Sequence, residues 1–177
     1  MKWSLSELSQ NGSKPLHVDA IVDIAVSIKE RDSDVLAISP VSVQGLFSMD
    51  SLGLLGYLKI TATVTVPSTR SLEPVELPLS FDVSEYYVSH HESNLERFDD
   101  DDVVIVLEND VVDLNQIVED NILLQIPMKV LTAEEKQHAA NLQGDDWSLL
   151  DEDHKANGSD AIDPRMAKLK DYFRTDD

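Results

Sequence analysis

The chain contains no cysteine at all. That absence excludes disulfides, thiolate metal sites and cysteine nucleophiles. Cations are also scarce, with 14 Lys and Arg against 34 Asp and Glu, for a formal charge of −20. A surface of that sign repels bare nucleic acid and anionic lipid and attracts basic proteins. The six glycines are scattered through turns. No P-loop, Rossmann glycine run, G-x-S-x-G elbow or H-E-x-x-H pair occurs, so the sequence motifs of the common enzyme classes are missing. No apolar run approaches the roughly 18 residues of a membrane span, and Met1-Lys2-Trp3-Ser4 lacks the apolar stretch of a signal peptide. A cytoplasmic, non-enzymatic protein without cofactor or metal is the expectation.

What is present is enough apolar material for a core, 42% of 177 residues. The charge is unevenly spread: residues 1–90 carry 6 basic and 11 acidic side chains, residues 91–177 carry 8 and 23. The best-defined local signal is Asp113 to Pro127, DLNQIVEDNILLQIP. Asp113 is a helix N-cap with Gln116 placed to complete a capping box. Leu114, Ile117, Val118, Ile122 and Leu124 recur at helical spacing, with Glu119, Asp120 and Gln125 mostly elsewhere on the wheel. Pro127 ends the run, so the helix spans about 113–124 and a short strand, 126–131, follows.

Elsewhere, Ser4-Leu5-Ser6-Glu7 is a second capping box, with Trp3 and Leu8 in hydrophobic-staple positions. Alternating or β-branched stretches predict strands at 15–24, at 35–49 with an interruption at Pro40, at 53–66 and at 75–88. A brief turn or helix fits 27–34, and 103–107 reads as a short buried strand. Short turns between successive strands favour antiparallel pairing. The fold class is therefore α+β: a curved, barrel-like antiparallel sheet with one packed helix, over residues 1–132. Residues 133–177 read as a flexible acidic tail. Within it, Asp163-Pro164-Arg165 opens an amphipathic helix over 164–174. Met166, Leu169 and Phe173 line one face of that helix, with Arg165, Lys168 and Lys170 around it, which suits docking.

Few residues suggest a site. Asp99-Asp-Asp-Asp102 lacks the glycine and distal glutamate of a calcium loop and reads as a solvated acidic loop. Adjacent His90 and His91 at a strand end point to opposite faces and read as exposed histidines rather than metal ligands. No basic residues interleave with Trp3 or Trp147, which read as core or staple residues rather than stacking platforms. Arg70, in a turn with few basic neighbours, has Glu73 as its nearest candidate ion-pair partner.

Three stretches taken together resemble the YceD/YlbN family, named for accumulation of the large ribosomal RNA subunit. They are MKWSLSELSQ, VPSTRSLEPVELPLSFDVSEYY, and DLNQIVEDNILLQIPMKVL followed by DPRMAKLKDYF. The central signature falls on Pro67, Ser68, Arg70, Leu72 and Val75. Many members carry cysteine where this chain has Ser68 and Ser71, so a metal role resting on those cysteines cannot operate here. The resemblance implies a non-enzymatic factor in large-subunit (23S) RNA accumulation, processing or ribosome assembly. Two routes fit: a local basic surface of Lys59, Arg70 and the helix from Arg165 touches RNA, or the acidic half binds a basic ribosomal or assembly protein. The charge favours the second. Ser68, Glu73, Met166, Lys168, Leu169 and Phe173 complete the candidate binding set. The alternative from another class is an acidic chaperone for a basic client unrelated to ribosomes. Oligomeric state is not encoded in any of these features.

Overall fold

The computed structural model describes residues 1–10, 14–92, 95–139, 143–144 and 147–148. Internal contacts divide the chain into two units, Met1–Leu131 and Thr132–Asp177. The first opens with β1 (Lys2–Ser4), α1 (Leu5–Gln10), β2 (Leu16–Val22), α2 (Ala25–Arg31), β3 (Ala37–Ile38) and β4 (Val41–Met49). The long strands β5 (Leu54–Pro67) and β6 (Pro74–Ser89) follow, then a 3-10 turn at Leu95–Arg97, β7 (Val104–Leu107), β8 (Val111–Asp113) and α3 (Leu114–Gln125). This is a mixed α+β unit with a mainly sheet core.

The main sheet runs β2-β4-β5-β6-β7, with β3 pairing β5 beyond the end of β4. Pro40 explains the break between β3 and β4, because proline cannot donate a ladder hydrogen bond. β5 shows the cause of the layering most clearly. Its even positions Leu54, Leu58, Ile60, Val64 and Val66 are buried, while Tyr57, Lys59 and Thr61 face outwards. Each fully buried aliphatic side chain contributes roughly 1.5–3 kcal/mol. α3 adds Leu114, Ile117, Val118 and Ile122 to the same core, which also takes in Leu8 and Ile28.

Two differences from the sequence expectation concern the sheet. It is not closed, and β2 and β7 are its two ends. The last pairing, β6 with β7, is parallel. The stretch between them is long enough for the crossover that parallel strands require, so the excursion after Ser89 is that crossover. β7 is not buried as expected: Ile105 and Val106 are exposed. Nor is there a strand at 126–131; that segment is irregular.

β1 and β8 form a small antiparallel ladder that the sequence did not reveal. It holds the start of α3. The Leu114 N–H donates to the Met1 carbonyl at 2.9 Å, and Lys2 Nζ sits 3.1 Å from Asp113 Oδ2. Asp113 caps the helix as expected, but through the N–H of Asn115 at 3.2 Å rather than in a box with Gln116. The Ser4–Glu7 box forms in both directions, each bond 3.1 Å. Described by itself, the second unit holds α4 (Ala133–Ala139), β9 (Gln143–Gly144) and β10 (Trp147–Ser148), the last two paired antiparallel. Thr132 and Glu135 make a capping box at α4 that went unread in the sequence. Among the described residues no helix is long and apolar enough to cross a membrane.

Gly45 and Gly56 lie within β4 and β5 rather than in turns, and Gly56 sits at a close-packed point of the core. Phe47 and Tyr87 pack edge-on across it with centroids 6.1 Å apart. A Cβ at Gly56 would lie 2.7 Å from the Phe47 ring and 2.9 Å from the Tyr87 ring. Gly56→Ala is therefore expected to cost about 1–3 kcal/mol by overpacking, read as a lower denaturant midpoint at unchanged slope.

Candidate functional site

The turn between β5 and β6 is built around Ser68. Its side chain is fully buried, and its Oγ accepts the N–H of Arg70 at 3.1 Å and of Ser71 at 3.3 Å. The Ser68 N–H donates to the Glu73 carbonyl at 2.7 Å, and Leu72 takes a left-handed φ of 63°. Thr69 ties the turn to the segment after α3, donating to the Val130 carbonyl through its N–H at 2.8 Å and its Oγ1 at 2.9 Å. The serine is thus a turn-former. Arg70 is held at the surface by this scaffold. Its guanidinium has no partner among the described residues, and the expected pairing with Glu73 is not formed.

Lys59 does not join that turn. It lies on the outer face of β5 opposite Asp82, roughly 25 Å from Pro67 along the strand. Ser68, Arg70 and Glu73 are therefore brought together, and Lys59 is not. Arg165, Met166, Lys168, Leu169 and Phe173 lie outside the described residues. His90 and His91 sit in the turn just past β6, not on opposite strand faces, and their rings lie side by side, tilted by 41°, with centroids 3.7 Å apart. His90 Nδ1 is 3.5 Å from Asp110. A hydrogen bond from Ser89, with the two histidines beside it, holds the Asp110 carboxyl below its usual range. In the acidic loop the Asp99 N–H donates to Asp102 Oδ2 at 3.0 Å. Among the described residues no three His, Asp or Glu side chains are grouped to hold a metal ion.

A second locality, absent from the sequence reading, lies between α2, α3 and the end of the sheet. Ser27 and Arg31 of α2 reach Glu119 of α3, the arginine at 3.2 Å, and Arg31 also binds Asp120. Asn121 donates to Glu85 at 3.1 Å and to the Ile117 carbonyl at 3.1 Å, while the Tyr87 hydroxyl donates to the other Glu85 oxygen. Glu119 and Asn121 are buried, so Glu119 is not on the polar face assigned to it. Buried polar groups need partners, and this network supplies them from three elements. Burial first, and then the bond to Glu85, push the Tyr87 hydroxyl far above its usual range. The network fastens α3 to α2 and to β6. Asn121 was the legible clue, because it lies four residues after Ile117 on the buried stripe.

Beside the network opens a groove of about 470 Å³. Val103 and Ile105 from the sheet end and Leu123 and Leu124 from α3 form its apolar walls, with Glu85 and Asp120 among its polar lining. Such a cleft, apolar with a few placed polar groups, is suited to binding.

Comparison with known proteins decides the family. The profile for the large ribosomal RNA subunit accumulation protein YceD matches residues 57–172. The chain belongs to the YceD family. Its match begins inside β5, so the Ser68 turn, α3 and the groove lining except Arg31 fall within the YceD region. The chain is also 33% identical over 178 residues to the uncharacterized protein YlbN of Bacillus subtilis (strain 168), covering 100% of this chain and 99% of that one. No solved structure matches.

The two localities in this YceD chain have different energetic roles. Ser68→Ala, which removes a buried acceptor of two N–H groups, is expected to cost about 1–3 kcal/mol, whereas Arg70→Ala should stay within about 0.5 kcal/mol; thermal melts of both variants check this. Tyr87 gives a pH signature. Its folded pKa is raised above the ordinary 10.0, so its contribution is complete below about pH 10 and falls as pH rises beyond it. Urea titrations from pH 8 upward should show stability declining above about pH 10, with a shallower decline in Tyr87→Phe.

Proposed function

We propose that this chain is a cytoplasmic, non-enzymatic accessory factor in accumulation of the large-subunit ribosomal RNA, acting by binding a basic ribosomal or assembly protein. The observation that carries the reading is the family match over residues 57–172, with full-length similarity to YlbN beside it. The mode of action follows from charge. Affinity for RNA phosphates comes largely from Lys and Arg displacing counterions, and a protein at −20 is poorly supplied with both. Lys59 also lies roughly 25 Å along β5 from the turn that carries Arg70, so those two cations do not form one patch. A basic protein, by contrast, is steered towards an acidic surface, quickly and in a salt-sensitive way.

Depleting the protein is expected to lower the ratio of 23S to 16S RNA and the yield of large subunits in gradient profiles. Normal ratios and profiles in the depleted strain would overturn the reading. Affinity capture at low and raised salt addresses the mode: salt-sensitive recovery of basic ribosomal or assembly proteins is expected. Recovery of basic proteins unconnected with ribosomes would instead favour an acidic chaperone, the reading that charge alone suggests.

A further inference from the structure

We propose that the open edge of β7, with the groove beside it, docks an extended segment of a basic partner protein as an additional strand. This rests on the reading of the chain as a binder of a basic protein and names the surface involved. Among the described residues β7 pairs β6 on one side and ends the sheet. A terminal strand presents backbone N–H and C=O groups to any strand that can approach it. Natural edges are usually blunted by lysine, proline or a bulge. Val104–Leu107 reads Val-Ile-Val-Leu and contains neither lysine nor proline.

The side chains around this edge are apolar and open to water. Val103 is 51% exposed, Ile105 38% and Leu124 79%, and all three line the groove. An added strand alternates its side chains between two faces, so every second residue would enter the groove over Ile105 and Leu124. Those positions call for apolar residues. The charge around the edge specifies the others. From residue 91 to 113 there are nine carboxylates and one cation, Arg97, which is already engaged by Glu92 and by the Leu52 carbonyl, while Arg31, the cation that lines the groove, is paired with Glu119 and Asp120. Lysine or arginine at alternate positions complements that surplus, whereas a second copy of this chain would set two such surpluses against each other. The other end of the sheet, β2, carries Asp19 and His17 on its outward face, where Ile21 is exposed, and provides a matched control.

A fluorescent peptide of alternating lysine and valine is the probe, with a peptide of the same composition in two blocks as comparison, titrated against the full chain. The alternating peptide is expected to bind more tightly than the block peptide. Leu124→Lys and Ile105→Lys should each weaken it about tenfold, while Ile21→Lys, with the same change in charge, should alter it by no more than about threefold. Equal weakening by all three variants, equal binding of the two peptides, or no binding would overturn the proposal. Leu124 is largely exposed, so its variant should keep the fold, and a matching melt confirms that the comparison is fair. A photocrosslinker at position 124 in cells identifies the occupant. Crosslinks to Lys- and Arg-rich segments of other proteins are expected. Crosslinks to RNA, to a second copy or to the chain's own peptides would overturn it. An altered RNA ratio on depletion with no edge binding would remove this inference alone; edge binding with a normal ratio would remove the ribosomal reading alone.

Discussion

Fourteen consecutive residue pairs join β5 to β6, and the rest of the first unit depends on that ladder. A strand of this length with one buried face fixes its own register, because a slip of one residue would turn Leu58, Ile60 and Val64 towards water. Once the register is set, the buried face has to be covered. Leu114, Ile117, Val118 and Ile122 of α3 join the same core, while Val75, Leu77, Leu79 and Phe81 along β6 stay only partly buried. The close approach at Gly45, where a Cβ would meet the Tyr57 carbonyl at 2.0 Å, brings β4 tightly onto the same strand.

Covering a sheet with a helix brings polar groups into the core, and the way they are satisfied divides the charge of the protein. Arg31, Arg97 and Lys2 are each committed to carboxylates inside the unit. Glu119 is tolerated in the core because Arg31, itself partly exposed, and Ser27 both bond its carboxylate. Several of the few cations are therefore used internally, which leaves the acidic surplus outside. The sequence chemistry and the electrostatic character of the surface are linked through this division.

The elements that were legible in the sequence are those whose signals are local. Ser4–Glu7, the alternation along 54–66 and the Asp113 cap all depend on neighbours within a few positions, and all formed. The Pro40 break was visible for the same reason. What was not legible depended on contacts distant in sequence. Nothing near Val104 announces that it pairs parallel to Tyr86, and nothing near Glu119 announces Arg31, 88 positions away. Of the candidate site, the turn role of Ser68 was readable from its chemistry, whereas the groove was not, since its walls come from separate segments. Arg70 shows the converse: its neighbour Glu73 suggested an ion pair, but the turn uses the Glu73 backbone and leaves the guanidinium in solvent.

The pairing of β1 with β8 also sets a schedule for the chain during its synthesis. Lys2 and its partner Asp113 are 111 positions apart in the chain. At about 5–20 residues per second, the opening strand is without a partner for roughly 5–20 s. Through that interval the acceptor for the first N–H of α3 is present and the helix is not, so the core lacks Leu114, Ile117, Val118 and Ile122. The core of the first unit, which includes four side chains of α3, is therefore complete only once that helix has been made.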